Sequence, residues 1–81
     1  MNPDEPFYGI QVLAIGKKMD PADPFFMGYQ IFELQTGKLY KYIVCTDVDL
    51  SNVKKSFAKV QKIFKDCYMV KVSDGTTSPV R

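Results

Sequence analysis

The chain contains no histidine, no tryptophan and only two cysteines. Without histidine, a nucleophile would need a lysine or carboxylate as its base, and no Ser–Lys or paired-carboxylate motif is visible. Cys45 and Cys67 stand far apart with no histidine between them, which argues against a structural zinc site. The stretch GKLYKYIVCTD has no phosphate-cradling glycine pattern. No apolar run approaches the roughly 20 residues needed to cross a bilayer, and no basic-then-apolar leader opens the chain. Internal repeats and low-complexity tracts are also missing. The expectation is a domain without catalytic residues, metal or cofactor, whose function lies in a surface.

What is present fits one soluble globular unit. The apolar fraction is 46% and the charged fraction 25%. Eighty-one residues supply too little apolar area for two cores. The net charge of +2 conceals an asymmetry. Residues 1–37 carry Lys17 and Lys18 against Asp4, Glu5, Asp20, Asp23 and Glu33, while residues 38–81 carry nine basic groups against four acids. Such a half can meet a polyanion. The plainer reading, preferred here, is that five of those lysines form the wet face of one helix.

Residues 7–16, FYGIQVLAIG, read as a first strand. Its even positions, Ile10, Val12 and Ala14, suit a face packed on helices. Its odd positions, Gly9, Gln11, Leu13 and Ile15, form a mixed set suited to solvent or a ligand. Pro21 and Pro24 restrict residues 16–28 to a short or irregular helical turn, with Phe25, Phe26 and Met27 as its core plug. YQIFELQ (29–35) and LYKYIVCT (39–46) read as strands joined by a hairpin at TGK. Asp49 or Ser51 caps a helix whose apolar residues recur at Val53, Phe57, Val60, Ile63 and Phe64. Lys54, Lys55, Lys59, Lys62 and Lys65 occupy the rest of it. CYMVKV (67–72) reads as the last strand. Residues 1–6 read as a lead-in, 7–73 as the domain and 74–81 as a flexible tail.

This order predicts an α+β fold, a ferredoxin-like split βαββαβ unit. Its four-stranded antiparallel sheet has strand order 4-1-3-2, and both helical elements lie on one face. The other face is expected to be uncovered, with Gln11 at its centre. Strands three and four lie two strand spacings apart, about 9–10 Å, so Cys45 and Cys67 are expected as free thiols and Cys67 as packed. The acids Asp20, Asp23, Asp47 and Asp49 are expected in turns and caps. Tyr40 and Tyr42 invite comparison with sheets that stack unpaired RNA bases, but the aromatic-and-glycine consensus is missing and a core ring is the preferred reading.

FYGIQVLAIG followed by GKLYKYIVCTDVDLSNVKKSFAKVQKIFKDCYMVKV resembles a SPOR (sporulation-related) domain over about residues 7–73. The matching features are Tyr8, Ile10, Gln11 and Val12 in strand one and Tyr40 and Lys41 in strand three. Val53, Phe57 and Val60 match on the helix, as do Tyr68, Met69 and Val70 in the last strand. With DPFFMG, the chain is most similar to the variety at the C-terminus of Bacteroides-type N-acetylmuramoyl-L-alanine amidases. Leu13 and Cys45 stand where many members have glycine.

The resemblance implies a non-catalytic module of the bacterial cell envelope. It would bind peptidoglycan glycan strands lacking stem peptides through the open sheet face, and target a parent protein to the septal wall. Carried over residue by residue, the glycan-binding candidates are Gln11, then Lys41 and Tyr40. Leu13, Ile43 and Met69 join them by parity alone. The alternatives are a ferredoxin-like nucleic-acid-binding module using Lys41, Lys71 and the helix lysines, or a protein-interaction module. Of these, nucleic acid is the less favoured partner.

Overall fold

The structure is a computed structural model that describes residues 5–80. Most of the expected lead-in, residues 1–4, and the terminal residue 81 lie outside the described residues. The chain runs β1 (Phe7–Ile15), a 3₁₀ turn (Pro24–Phe26), β2 (Phe32–Thr36), β3 (Leu39–Asp47), α1 (Leu50–Ile63), β4 (Tyr68–Ser73) and β5 (Thr76–Pro79). All strand pairs are antiparallel, in the order β2-β3-β1-β4-β5. The fold is α+β, with one α-helix among the described residues.

Among the described residues the sheet therefore has five strands, not four, and residues 74–79 of the expected tail form a turn and a strand. Asp74 and Gly75 both adopt positive φ, 52° and 74°. That is the requirement of a two-residue type I′ turn, which closes β4 onto β5 with Ser73 opposite Thr76. The β2–β3 hairpin turns at Gly37, with φ 60° at the first central position. Asp49 caps α1, its carboxylate accepting from the Ser51 amide at 2.9 Å and hydroxyl at 2.8 Å. Those bonds hold the Asp49 carboxyl below its ordinary pKa. Asp47 accepts from the Asp49 amide, Asp20 from that of Ala22 and Asp23 from that of Phe25. All four acids are thus turn and cap residues.

Each face of the sheet has its own core. On one, α1 packs Val53, Val60 and Phe64 against Ile10, Val44 and Cys67. The 3₁₀ turn sends only Phe26 inward, against the buried Tyr42 ring. Phe25 and Met27, expected as part of that plug, are 44% and 64% exposed. Tyr42 is a core ring whose hydroxyl accepts from the Met19 amide at 2.6 Å, and burial raises its pKa.

The opposite face was expected to be bare and is not. Phe7, Ile43, Val70 and Val72 form a second buried cluster there, with Leu34 against it and Phe32 edge-on to Phe7. Among the described residues no helix covers them, and the sheet itself closes over this face. Lys41 on β3 donates to Thr77 Oγ1 on β5 at 2.8 Å, although β1 and β4 stand between those strands. Three spacings of a flat sheet total about 14 Å, further than a lysine side chain reaches. The sheet coils until its corners meet, enclosing what a flat sheet would leave open.

Two irregularities allow the coiling. Between Ile10↔Val44 and Tyr8↔Asp47, β3 carries one extra residue at Cys45–Thr46, and Cys45 has φ 55°. This left-handed conformation is the one glycine adopts most easily, so the cysteine here carries backbone strain that a glycine would be spared. Between Gln11↔Ile43 and Leu13↔Tyr42, the extra residue is on β1, at Val12. Gly9 lies at the inside of the bend. A Cβ there would collide with Ile43 Cγ2 and stand 3.1 Å from Thr46 Cγ2. Both cysteines are free, Cys67 buried and Cys45 half-buried.

Candidate functional site

The six residues singled out from sequence do not form one surface. Gln11, Lys41 and Ile43 share the inner face of the coiled sheet, Gln11 opposite Ile43. Ile43 is wholly buried in the second core and offers nothing to a ligand. Lys41 is half-buried and engaged with Thr77. Leu13 was expected beside Gln11, but the bulge at Val12 reverses the alternation and sets it opposite Tyr42, on the helix side. Met69 stands opposite Ile10 and packs on the helix-side core, so its expected place on the open face is also wrong. Tyr40 pairs with Ile15 and Gln35 and shares the parity of Tyr42, away from Gln11.

Gln11 itself is 5% exposed and is the only buried polar residue among those described. Its Nε2 donates to the Tyr68 hydroxyl at 2.8 Å. Its Oε1 is buried and has no hydrogen-bond partner within the chain. A buried amide oxygen left in this state costs about 1–3 kcal/mol, which makes it an exception that calls for a physical reason.

Gln11 is among the residues that line a cleft of about 470 Å³. β4 starts at Tyr68, directly opposite Gln11, so β1 continues through Val12–Ile15 with only β3 paired to it. α1 ends at Ile63 beside this unpaired edge, and the following turn brings Lys65 and Asp66 to the rim. The 3₁₀ turn supplies Phe25, whose ring centroid is 5.5 Å from that of Phe64. Asp23 caps that turn and Met27 closes it with φ 55°, which fixes the loop holding Phe25. Phe25, Ile63 and Tyr68 are each exposed by 40–44%, large apolar surfaces lining the same cleft as Gln11.

Chemically, the cleft presents a buried amide, a tyrosine hydroxyl, an apolar platform and one charge of each sign. A ring placed against Phe25 or Tyr68 would meet hydrogen-bonding groups at its edge. The neighbouring Cys67 thiol is buried, and that burial pushes its pKa up, so it is held protonated rather than as a thiolate.

Sequence reasoning missed Phe25, Ile63, Lys65 and the role of Tyr68. A signal existed for Ile63. It lies about a quarter-turn from the mean direction of Val53, Phe57, Val60 and Phe64, at the flank of the buried stripe. Nothing local pointed to Phe25 over Phe26, because the choice depends on how the 3₁₀ turn is seated. Comparison with family models, with curated proteins and with solved structures finds no match for this chain.

Proposed function

We propose that the domain is a non-catalytic module of the bacterial cell envelope that binds glycan strands of the cell wall. Its first four strands with the 3₁₀ turn and α1 read as the split βαββαβ core of a SPOR-like fold, to which β5 is added at the β4 edge. The single observation that carries the binding reading is that Gln11, whose buried Oε1 has no partner in the chain, is one of the residues lining a cleft flanked by exposed aromatic rings. Gln11 is also the residue that the resemblance to SPOR domains marks for glycan contact. Relative to that expectation, the contact surface shifts from the sheet's inner face to the cleft where β1 outruns β4.

The cleft suits sugars in size and chemistry. Its volume falls within the roughly 300–1,000 Å³ of small-ligand sites. Phe25 and Tyr68 offer faces for pyranose rings, while the Gln11 oxygen, buried in the unbound chain, accepts from a hydroxyl or an acetamido N–H once a turn of the side chain brings it to the cleft. Each such bond contributes only about 1 kcal/mol net. Useful affinity therefore comes from several subsites along a strand or several modules on one parent protein.

The test is retention on purified peptidoglycan sacculi, before and after an amidase removes the stem peptides. The domain is expected to be retained on stripped sacculi, with Gln11→Met and Tyr68→Ala each weakening retention severalfold while circular dichroism stays native. Absence from both kinds of sacculi would overturn the reading.

A further inference from the structure

The cleft does not end at Ile63. A second depression, of about 290 Å³, opens on the other side of that residue and is lined by Met27, Tyr29 and Lys59. Ile63 is thus a shared wall between two subsites, one with Lys65 at its rim and one with Lys59. Two depressions in line across the C-terminal half of α1 suit an extended polymer better than a compact molecule.

The charges along that line are of nearly one sign. From Leu50 to Ile63 the helix has four lysines and no acid, and Lys65 follows, with Asp66 as the one carboxylate nearby. Lys59, Lys62 and Lys65 are all exposed. The one ion pair among the described residues joins Lys18 to Glu33 at 3.2 Å, elsewhere on the molecule. Lys59, Lys62 and Lys65 make no ion pair among the described residues. Their outward field favours a ligand carrying repeated negative charge.

We infer that Lys59 and Lys65 read the free carboxylates of a glycan strand whose stem peptides have been removed. The inference rests on the glycan reading above and adds the basis of its selectivity. Hydrolysis of the bond between sugar and peptide consumes one water, releases the peptide's amine and leaves a carboxylate on the sugar's lactyl ether. An intact strand has a neutral amide and a bulky peptide at that point. A stripped strand has a small anion at every second sugar. The two lysines, one in each subsite, recognise that repeat by charge, while Gln11 and the aromatic faces hold the sugar rings. Lys62, between them on the outer face of α1, adds to the same field.

The experiment measures fluorescence anisotropy of labelled, amidase-stripped glycan strands with the wild-type domain and with the Lys59→Gln/Lys65→Gln double variant. The same strands are also used after their carboxylates are converted to neutral methylamides. Ionic strength is raised from about 0.01 M to about 1 M, over which the Debye length falls from about 30 Å to about 3 Å. Wild type is expected to bind the untreated strands about tenfold tighter than the methylamide strands, about threefold for each exposed lysine. Salt is expected to remove that preference, and the double variant to lack it at every ionic strength. Equal wild-type affinity for both kinds of strand, or an unchanged preference in the double variant, overturns the charge reading and leaves the glycan reading intact. If wild type binds neither strand at the lowest salt, the glycan reading fails and this one fails with it.

Discussion

Replacing Gln11 by methionine tests whether its amide belongs to the fold or to a ligand. Methionine keeps the unbranched shape and close to the volume of glutamine, so the packing against Ile43 and Tyr68 is retained. The substitution removes one hydrogen bond, Nε2 to Tyr68 Oη at 2.8 Å, which contributes about 1 kcal/mol net. It also removes a buried oxygen with no partner in the chain, whose desolvation costs about 1–3 kcal/mol. Tyr68 is 43% exposed, so its freed hydroxyl can turn to solvent. The balance is a gain of about 1 kcal/mol in the variant. For a domain of this size that raises Tm by about 4–8 °C. Urea denaturation with an unchanged m-value, checked by a thermal melt, measures it. A loss of more than about 1 kcal/mol would refute the reasoning, because the amide would then be a satisfied structural group.

Three further outcomes follow from the fold. Gly9→Ala should destabilise by about 1–3 kcal/mol in urea, since Ile43 is wholly buried and Val44 O stands only 3.3 Å from the added Cβ; the Ile43→Leu background, which moves the clashing methyl, should recover part of the loss. Gly75→Val, at φ 74°, should weaken the β4–β5 hairpin, and hydrogen exchange should show lost protection at Val80, whose amide donates to Met69 O at 2.9 Å. The Asp49 pKa is lowered in the fold, so the cap's stabilisation is present above the unfolded carboxylate pKa and is lost as pH falls through the lower folded value. Asp49→Asn should flatten the acid limb of the stability–pH profile, and an unchanged limb would contradict the cap's role.

Much of the architecture was legible in the chain because strong periodicities carry it. α1 shows the 3.6-residue spacing of Val53, Phe57, Val60 and Phe64, and β1, β3 and β4 show β-branched and aromatic runs. β5 was missed because Thr76–Pro79 has no large apolar residue, although Asp74–Gly75 is a strong hairpin signal. The two bulges were not legible. Each shifts the register by one residue, and the one at Val12 moves Leu13 to the opposite side of the sheet. Coiling was hidden for a different reason, since it depends on non-local contacts such as Lys41 with Thr77 and the fit of Ile43 over Gly9. Parity alone could therefore give the face on which Gln11 lies, but not that the face closes over it. The cleft is likewise a product of unequal strand lengths, which no single segment reveals.

The most direct test of the binding account is a ¹⁵N NMR titration of the domain with amidase-stripped glycan strands, following the side-chain amide of Gln11. The account predicts that the Gln11 NH₂ resonances shift together with the backbone amides of Val12, Leu13, Ile63, Lys65 and Tyr68, while those of β2 and the β4–β5 turn stay in place. A Gln11 side chain that does not respond at saturating glycan, or shifts confined to the outer strands, would contradict it.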